Sequence, residues 1–323
     1  MKSRSTSLSR DLTIIVAGLL LGGIVSAGAA AAERASAVVG DCTLEAPAAL
    51  SAPLAQLARD AAGILPRLEA DLGVRAAAPY RIVLIPADPS ADPSLADLDA
   101  AAPPWAAGFM LPARRLGAIR IAKADRYPYG DLASVLAHEA THMLLHDAAG
   151  SNLPRWFGEG VATGEERAWG LRDILVYSSS LLTGGLPPLA DLDAAFEASP
   201  GEARAAYAAA FDFVSWARRR HGARVVRDVL REARAAPFAV AWKQATGIPL
   251  DRSEAEWRRG SLLLYRWVPA LTGTTSLWIG ITILALLAGA RRRARSRAIL
   301  ERWQAEGESV MPADEGARSR EEE

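Results

Sequence analysis

The chain has 323 residues with 37 Lys and Arg against 37 Asp and Glu, so its formal net charge is zero, which argues against the basic surface that nucleic-acid binding requires. A single cysteine, Cys42, rules out an internal disulfide. Half the residues are hydrophobic, and the roughly 235 residues between two uncharged runs can bury the core of one domain of one or two lobes.

The first uncharged run covers residues 12–32 and follows Lys2, Arg4 and Arg10, with small residues such as Ala27, Gly28 and Ala29 at its end. This pattern predicts a signal peptide or an N-terminal membrane anchor over 1–32. Cys42 follows Gly40 and Asp41, without the small-residue run that precedes a lipoprotein cysteine. Residues 80–86 are rich in β-formers and bounded by Pro79 and a turn cluster; residues 107–111 and 117–121 form a second pair of runs across a turn at 112–115. These runs predict a small sheet. If the later run lies beside the site described next, its free edge could hold an extended peptide, although an ordinary hairpin accounts for the same pattern.

Residues 138–142 read His-Glu-Ala-Thr-His. On a helix of 3.6 residues per turn, side chains four apart share a face, so His138 and His142 can grip one metal ion. Glu139 is then placed to reach a water on that ion, the general-base position of a zinc peptidase. Asp131 occupies a capping position, and Leu132, Val135, Leu136, Met143 and Leu144 supply a buried stripe. Seventeen residues after His142, Glu159 offers a third ligand, leaving the fourth position open as in catalytic zinc sites. A solvated glutamate near a helix start is the competing explanation. Pro154 at the helix start and Gly158 and Gly160 on either side of Glu159 favour close approach of an ion or another helix. His146 and Tyr177 are weaker candidates for stabilising an oxyanion; a helix-end histidine and a half-buried tyrosine explain them equally well.

The stretch from Val135 to His142, with that from Leu153 to Ala162, resembles the gluzincin metallopeptidases and in particular the bacterial peptidase-MA-like domains. The resemblance covers about residues 80 to 170 and is thin beyond. It implies that His138, His142 and Glu159 bind Zn2+ and that Glu139 activates water. It also implies that an edge strand beside the metal binds the peptide. Gly158 precedes the third ligand and Ala162 and Thr163 follow it, so the partners of the ligands do not carry over.

Beyond residue 184 the chain reads as helices over 191–198, 201–221, 223–235 and 252–265, separated by proline and glycine clusters. Arg218, Arg219, Arg220, His221, Arg224 and Arg227 make a basic stretch, expected as a solvated face or a docking surface for acidic groups. A second uncharged run over 267–290 is followed by Arg291, Arg292, Arg293, Arg295 and Arg297. It predicts a transmembrane helix with a cytoplasmic tail over 291–323 and the rest of the domain outside the cytoplasmic membrane.

The expected fold is therefore α+β: a zincin-like metallopeptidase domain over 33–183 with a small mixed sheet and an active-site helix, a helical lobe over 184–266, and a C-terminal transmembrane helix. The expected partners are a peptide or protein substrate and the lipid bilayer, with no nucleic acid. The expected activity is zinc-dependent peptide hydrolysis; the alternative is a catalytically silent, membrane-tethered metal-binding scaffold. A site within the bilayer is disfavoured by Asp131, Arg155, Glu165, Glu166 and Arg167 around the motif.

Overall fold

The computed structural model describes residues 33–125, 130–166, 186–272 and 274–308. The predicted leader over 1–32 and Tyr177 lie outside these residues.

Five strands form one mixed sheet in the order β1-β2-β3-β5-β4. The strands are β1 (Arg34–Val39), β2 (Cys42–Pro47), β3 (Tyr80–Ile85), β4 (Gly108–Leu111) and β5 (Leu116–Arg120). β1 and β2 make a hairpin, β3 lies parallel to both β2 and β5, and β4 returns antiparallel along β5. The three expected runs are thus β3, β4 and β5. However, β5 is paired on both sides, so β4 rather than the later run is the edge strand at that end of the sheet, with β1 at the other. β1 and β2, which mix polar and small residues with few apolar ones, were not among the expected strands. Both alternate in exposure, and β2 buries Cys42, Leu44 and Ala46 on one face.

Ten α-helices are present among the described residues. α1 (Ser51–Leu72) turns Leu54, Leu57, Ala61, Leu65, Leu68 and Leu72 inward, a stripe of three- and four-residue steps that packs against the sheet and the motif helix. After α2 (Pro93–Ala100) and the β4–β5 hairpin comes α3 (Leu132–Ala149), capped by the Asp131 carboxylate accepting from Ser134 N–H at 2.8 Å. α4 (Arg155–Glu166) follows after a short turn. The remaining helices are α5 (Leu192–Ala195), α6 (Pro200–His221), α7 (Val225–Ala233), α8 (Phe238–Thr246), α9 (Leu250–Thr272) and α10 (Thr274–Glu308). The Ser199 and Glu202 capping box begins α6.

α4 is held between α3 and α6. Its Trp156 ring stands edge-on to Phe213 of α6 at 5.2 Å, and Phe213 in turn meets Trp242 and Trp257 at 5.1 and 5.4 Å. Such ring pairs add about 0.5–1.5 kcal/mol each beyond their buried area. Gly160 makes the α4–α6 approach possible. A Cβ there would lie 2.7 Å from the Ala210 carbonyl carbon and 2.9 Å from Val214 Cγ2.

The expected transmembrane helix over 267–290 is not found: among the described residues no helix is long and apolar enough to cross a membrane. Residues 267–272 of the apolar run fall in α9 and residues 274–290 in α10, with residue 273 outside the described residues. The uncharged part of α10, residues 274–290, falls short of the ~20 apolar residues that a span requires, and five arginines follow within the same helix. Residues up to Leu262 form one compact unit and those from Leu263 a second.

Candidate metal centre

α3 places His138 and His142 on one face, and α4 brings Glu159 to them. His138 Nε2 and His142 Nε2 are 3.1 Å apart, and Glu159 Oε2 lies 3.4 Å from each. These are the only three such side chains among the described residues whose ligand atoms converge in this way. Ligands about 2.0–2.1 Å from a tetrahedral ion stand about 3.3 Å from one another, so the triangle has the edges of one face of a zinc tetrahedron. Glu159 is 8 % exposed, and at 3.4 Å its Oε2 accepts no hydrogen bond from either imidazole. A buried carboxylate oxygen with no hydrogen-bond donor is costly unless a cation takes that place. The residues present therefore fit a divalent ion.

Glu166, two turns beyond Glu159 on α4, accepts from His138 Nδ1–H at 2.8 Å through a carboxylate that is almost wholly buried. Holding the proton on Nδ1 leaves the Nε2 lone pair directed into the triangle. Residues seven apart differ by about 20° around a helix, so Glu159 and Glu166 share a stripe. That spacing was the available signal, and in the sequence Glu166 figured only as a charge near the motif. Its neighbour Glu165 faces the other way, paired with Arg218 at 2.5 Å and Arg67 at 3.1 Å. These pairs tie α4 to α6 and α1.

Burial is the largest influence on the pKa of Glu139, Glu159 and His138. It pushes the Glu139 carboxyl up to about 7, with the two imidazoles pulling down and Glu159 and Glu166 adding to the rise. For Glu159 burial also pushes upward, but His142 and His138 outweigh it and hold the carboxyl below its ordinary range. For His138 burial opposes the charged form, yet Glu159 and Glu166 overcome it and the pKa lies well above the usual value. Three carboxylates gathered around two imidazoles make an environment that favours positive charge.

Glu139 lies between α3 and the sheet edge. A Cβ on Gly108 would come within 2.7 Å of Glu139 Oε1, so only glycine lets β4 pass this close. Gly158 is different: a Cβ there would meet Leu145 Cδ1 at 3.8 Å and His142 Nδ1 at 4.0 Å, ordinary contacts. The expected need for close approach therefore holds at Gly160 and not at Gly158. The N-terminal Trp156 N–H of α4 donates to Asp193 at 2.8 Å, which fixes the start of the helix that carries Glu159.

A cavity of about 840 Å³ opens over the triangle, between β4 with its preceding loop and the first turns of α6. His146, in the last turn of α3, lines it. So does Tyr207 of α6, which the sequence did not single out; burial above all, together with the nearby Glu159 and Glu139 charges, keeps its phenol protonated.

No protein-family model matches the chain, and comparison with curated proteins finds no match. The residues and their geometry are therefore the whole basis for a functional reading.

Proposed function

We propose that the chain is a zinc-dependent peptidase of the gluzincin kind, with His138, His142 and Glu159 as metal ligands and Glu139 as general base. The triangle of ligand atoms carries this reading: its edges match one tetrahedral face, and its buried Glu159 oxygen has no hydrogen-bond donor. When bound, zinc supplies an acidified water and a polarised carbonyl.

The chain's own residues supply the rest. Glu139 takes the proton of the attacking water on its carboxylate and passes it to the leaving amine nitrogen. In the metal-free protein burial raises the Glu139 carboxyl above its ordinary value, which makes it a stronger base than a solvated carboxylate. Glu166 keeps the proton of His138 on Nδ1. Tyr207, a protonated phenol in the same cavity, donates to the carbonyl oxygen as it gains charge.

The substrate lies along β4. Arg120 N–H donates to Ala107 C=O at 2.8 Å, and these two residues stand opposite each other one step beyond the Gly108–Ile119 pair. Antiparallel pairs alternate in their bonding, so Phe109 and Leu111 turn their backbone groups toward β5 while Gly108 and Met110 turn theirs to the open edge. An extended peptide can bond there as an added strand, beside Glu139.

Metal content by elemental analysis and peptide hydrolysis, compared between the full-length protein and Glu139→Gln, test the reading. One zinc per chain in both, with hydrolysis only in the parent, is the expected outcome. Zinc in both with hydrolysis in neither would favour a metal-binding scaffold, and no zinc in the parent would end the proposal.

A further inference from the structure

The loop between α2 and β4 holds Trp105 with 56 % of its surface exposed, on the rim of the cavity over the metal triangle. Exposure of so large an apolar side chain is ordinary on a fraying loop. This loop is fixed. Arg120 of β5, only 3 % exposed, points its guanidinium into the bend and spends all five N–H donors on it. Nε donates to Asp99 Oδ1 at 2.5 Å; one Nη donates to the Pro103 and Ala106 carbonyls at 2.7 and 2.8 Å; the other donates to the Asp99 and Ala102 carbonyls at 2.5 and 3.1 Å. Lys123 Nζ donates to the Pro104 carbonyl on the far side of the same bend. The Arg120 guanidinium also stands 5.5 Å over the Phe109 ring, so the clasp of the loop and the strand beside the metal are one unit.

The two walls of the cavity differ. On the sheet side it is lined mainly by apolar groups, Pro103, Trp105, Ala106, Phe109, Met110 and Pro112, with Lys123 beside them, whereas the facing wall sets Arg155, Glu197, Ser199, Arg204 and Tyr207 beside Phe196 and Leu153. An indole held at a fixed place on the cavity rim still has apolar surface to bury against a bound apolar group, and gains on doing so.

We propose that Trp105 is a specificity-determining residue that receives an apolar, preferably aromatic, side chain from a peptide lying along β4. This rests on the peptidase reading for the identity of the occupant. A peptide strand on the Gly108–Met110 edge directs alternate side chains to the two faces of the sheet, and the Trp105 wall is continuous with that edge. The Arg120 clasp pre-orders the loop, so binding does not have to freeze it.

The test uses full-length protein carrying Glu139→Gln, with zinc supplied, and a set of dye-labelled serine-rich peptides through which one phenylalanine is walked. Dissociation constants are read by fluorescence anisotropy, with and without Trp105→Ala or Trp105→Phe. At the position facing Trp105, phenylalanine is expected to tighten binding by about tenfold over serine, Trp105→Ala to abolish that preference, and Trp105→Phe to restore most of it. A phenylalanine preference at no position, or one that survives Trp105→Ala, would overturn the proposal. Hydrolysis of the same peptides by the parent separates the two readings. Trp105-dependent binding without hydrolysis sinks the peptidase and leaves the subsite, while hydrolysis with Trp105-independent binding sinks the subsite alone.

Discussion

Removing the Glu166 carboxylate should weaken metal binding without unfolding the domain. His138 Nδ1–H donates to Glu166 Oε2 at 2.8 Å, and that carboxylate group is 1 % exposed. Loss of a carboxylate behind a ligating histidine typically costs ~10–100-fold in metal affinity, or about 1.4–2.7 kcal/mol. Glu166→Gln keeps an oxygen that can accept from Nδ1 but loses the charge that makes Nε2 more basic, which places it near the tenfold end. Glu166→Ala removes both and leaves the ring free to turn or change tautomer, which places it near the hundredfold end. Zinc affinity would be measured at pH 7.5 by competition with a chromophoric chelator, alongside thermal unfolding of the metal-free proteins to confirm that each variant is folded. Equal affinities for the parent and both folded variants would refute the assigned ligand geometry, because His138 would then not need its Nδ1 proton held.

Two other perturbations follow from the same geometry. Burial raises the Glu139 carboxyl to about 7 in the folded metal-free protein, while in the unfolded chain it titrates near its ordinary value. A raised carboxyl pKa means that folding favours the protonated form, so the metal-free parent loses stability as pH rises from about 4.5 to about 7, by up to ~3 kcal/mol. Glu139→Gln removes that loss; urea unfolding of chelator-treated protein should show the variant gaining on the parent between pH 5 and pH 8, and a difference independent of pH would contradict the burial argument. Gly160→Ala pushes a methyl group against the Ala210 carbonyl and forces α4 away from α6, with an expected loss of about 1–3 kcal/mol and weaker zinc binding because Glu159 moves too. Gly158→Ala, with room for its methyl group, serves as the control; equal stability losses in the two would show that helix propensity rather than packing is at work.

Much of the centre could be read from the chain alone because a helix converts spacing into direction. His138 and His142, four apart, share a face whatever surrounds them, and Asp131 marks the start of their helix through a hydrogen bond within one turn. The strands β3, β4 and β5 announce themselves by β-branched and apolar runs between turn residues. β1 and β2 mix polar and small residues with few apolar ones; β1 is placed by its hairpin with β2, and β2 by pairing with the distant β3. The apolar run over 267–290 shows the limit of composition. It satisfies a hydropathy rule along the sequence, but the uncharged part of α10 runs straight into five arginines, and no helix among the described residues is long and apolar enough to cross a membrane.

What the sequence by itself determined was the set of local relations: two imidazoles on one turn, a carboxylate between them, and a second carboxylate in a following helix. Only the tertiary structure decided that Glu159 comes within 3.4 Å of both rings, that Glu166 stands behind His138, and that Gly108 brings a sheet edge against Glu139. Those distances depend on how α4 is held by Trp156, Gly160 and Glu165 against partners up to 98 residues away in the chain. Side-chain spacing within a helix is fixed by backbone geometry, whereas the packing of one helix on another depends on the combined shapes of residues that no short stretch of sequence contains.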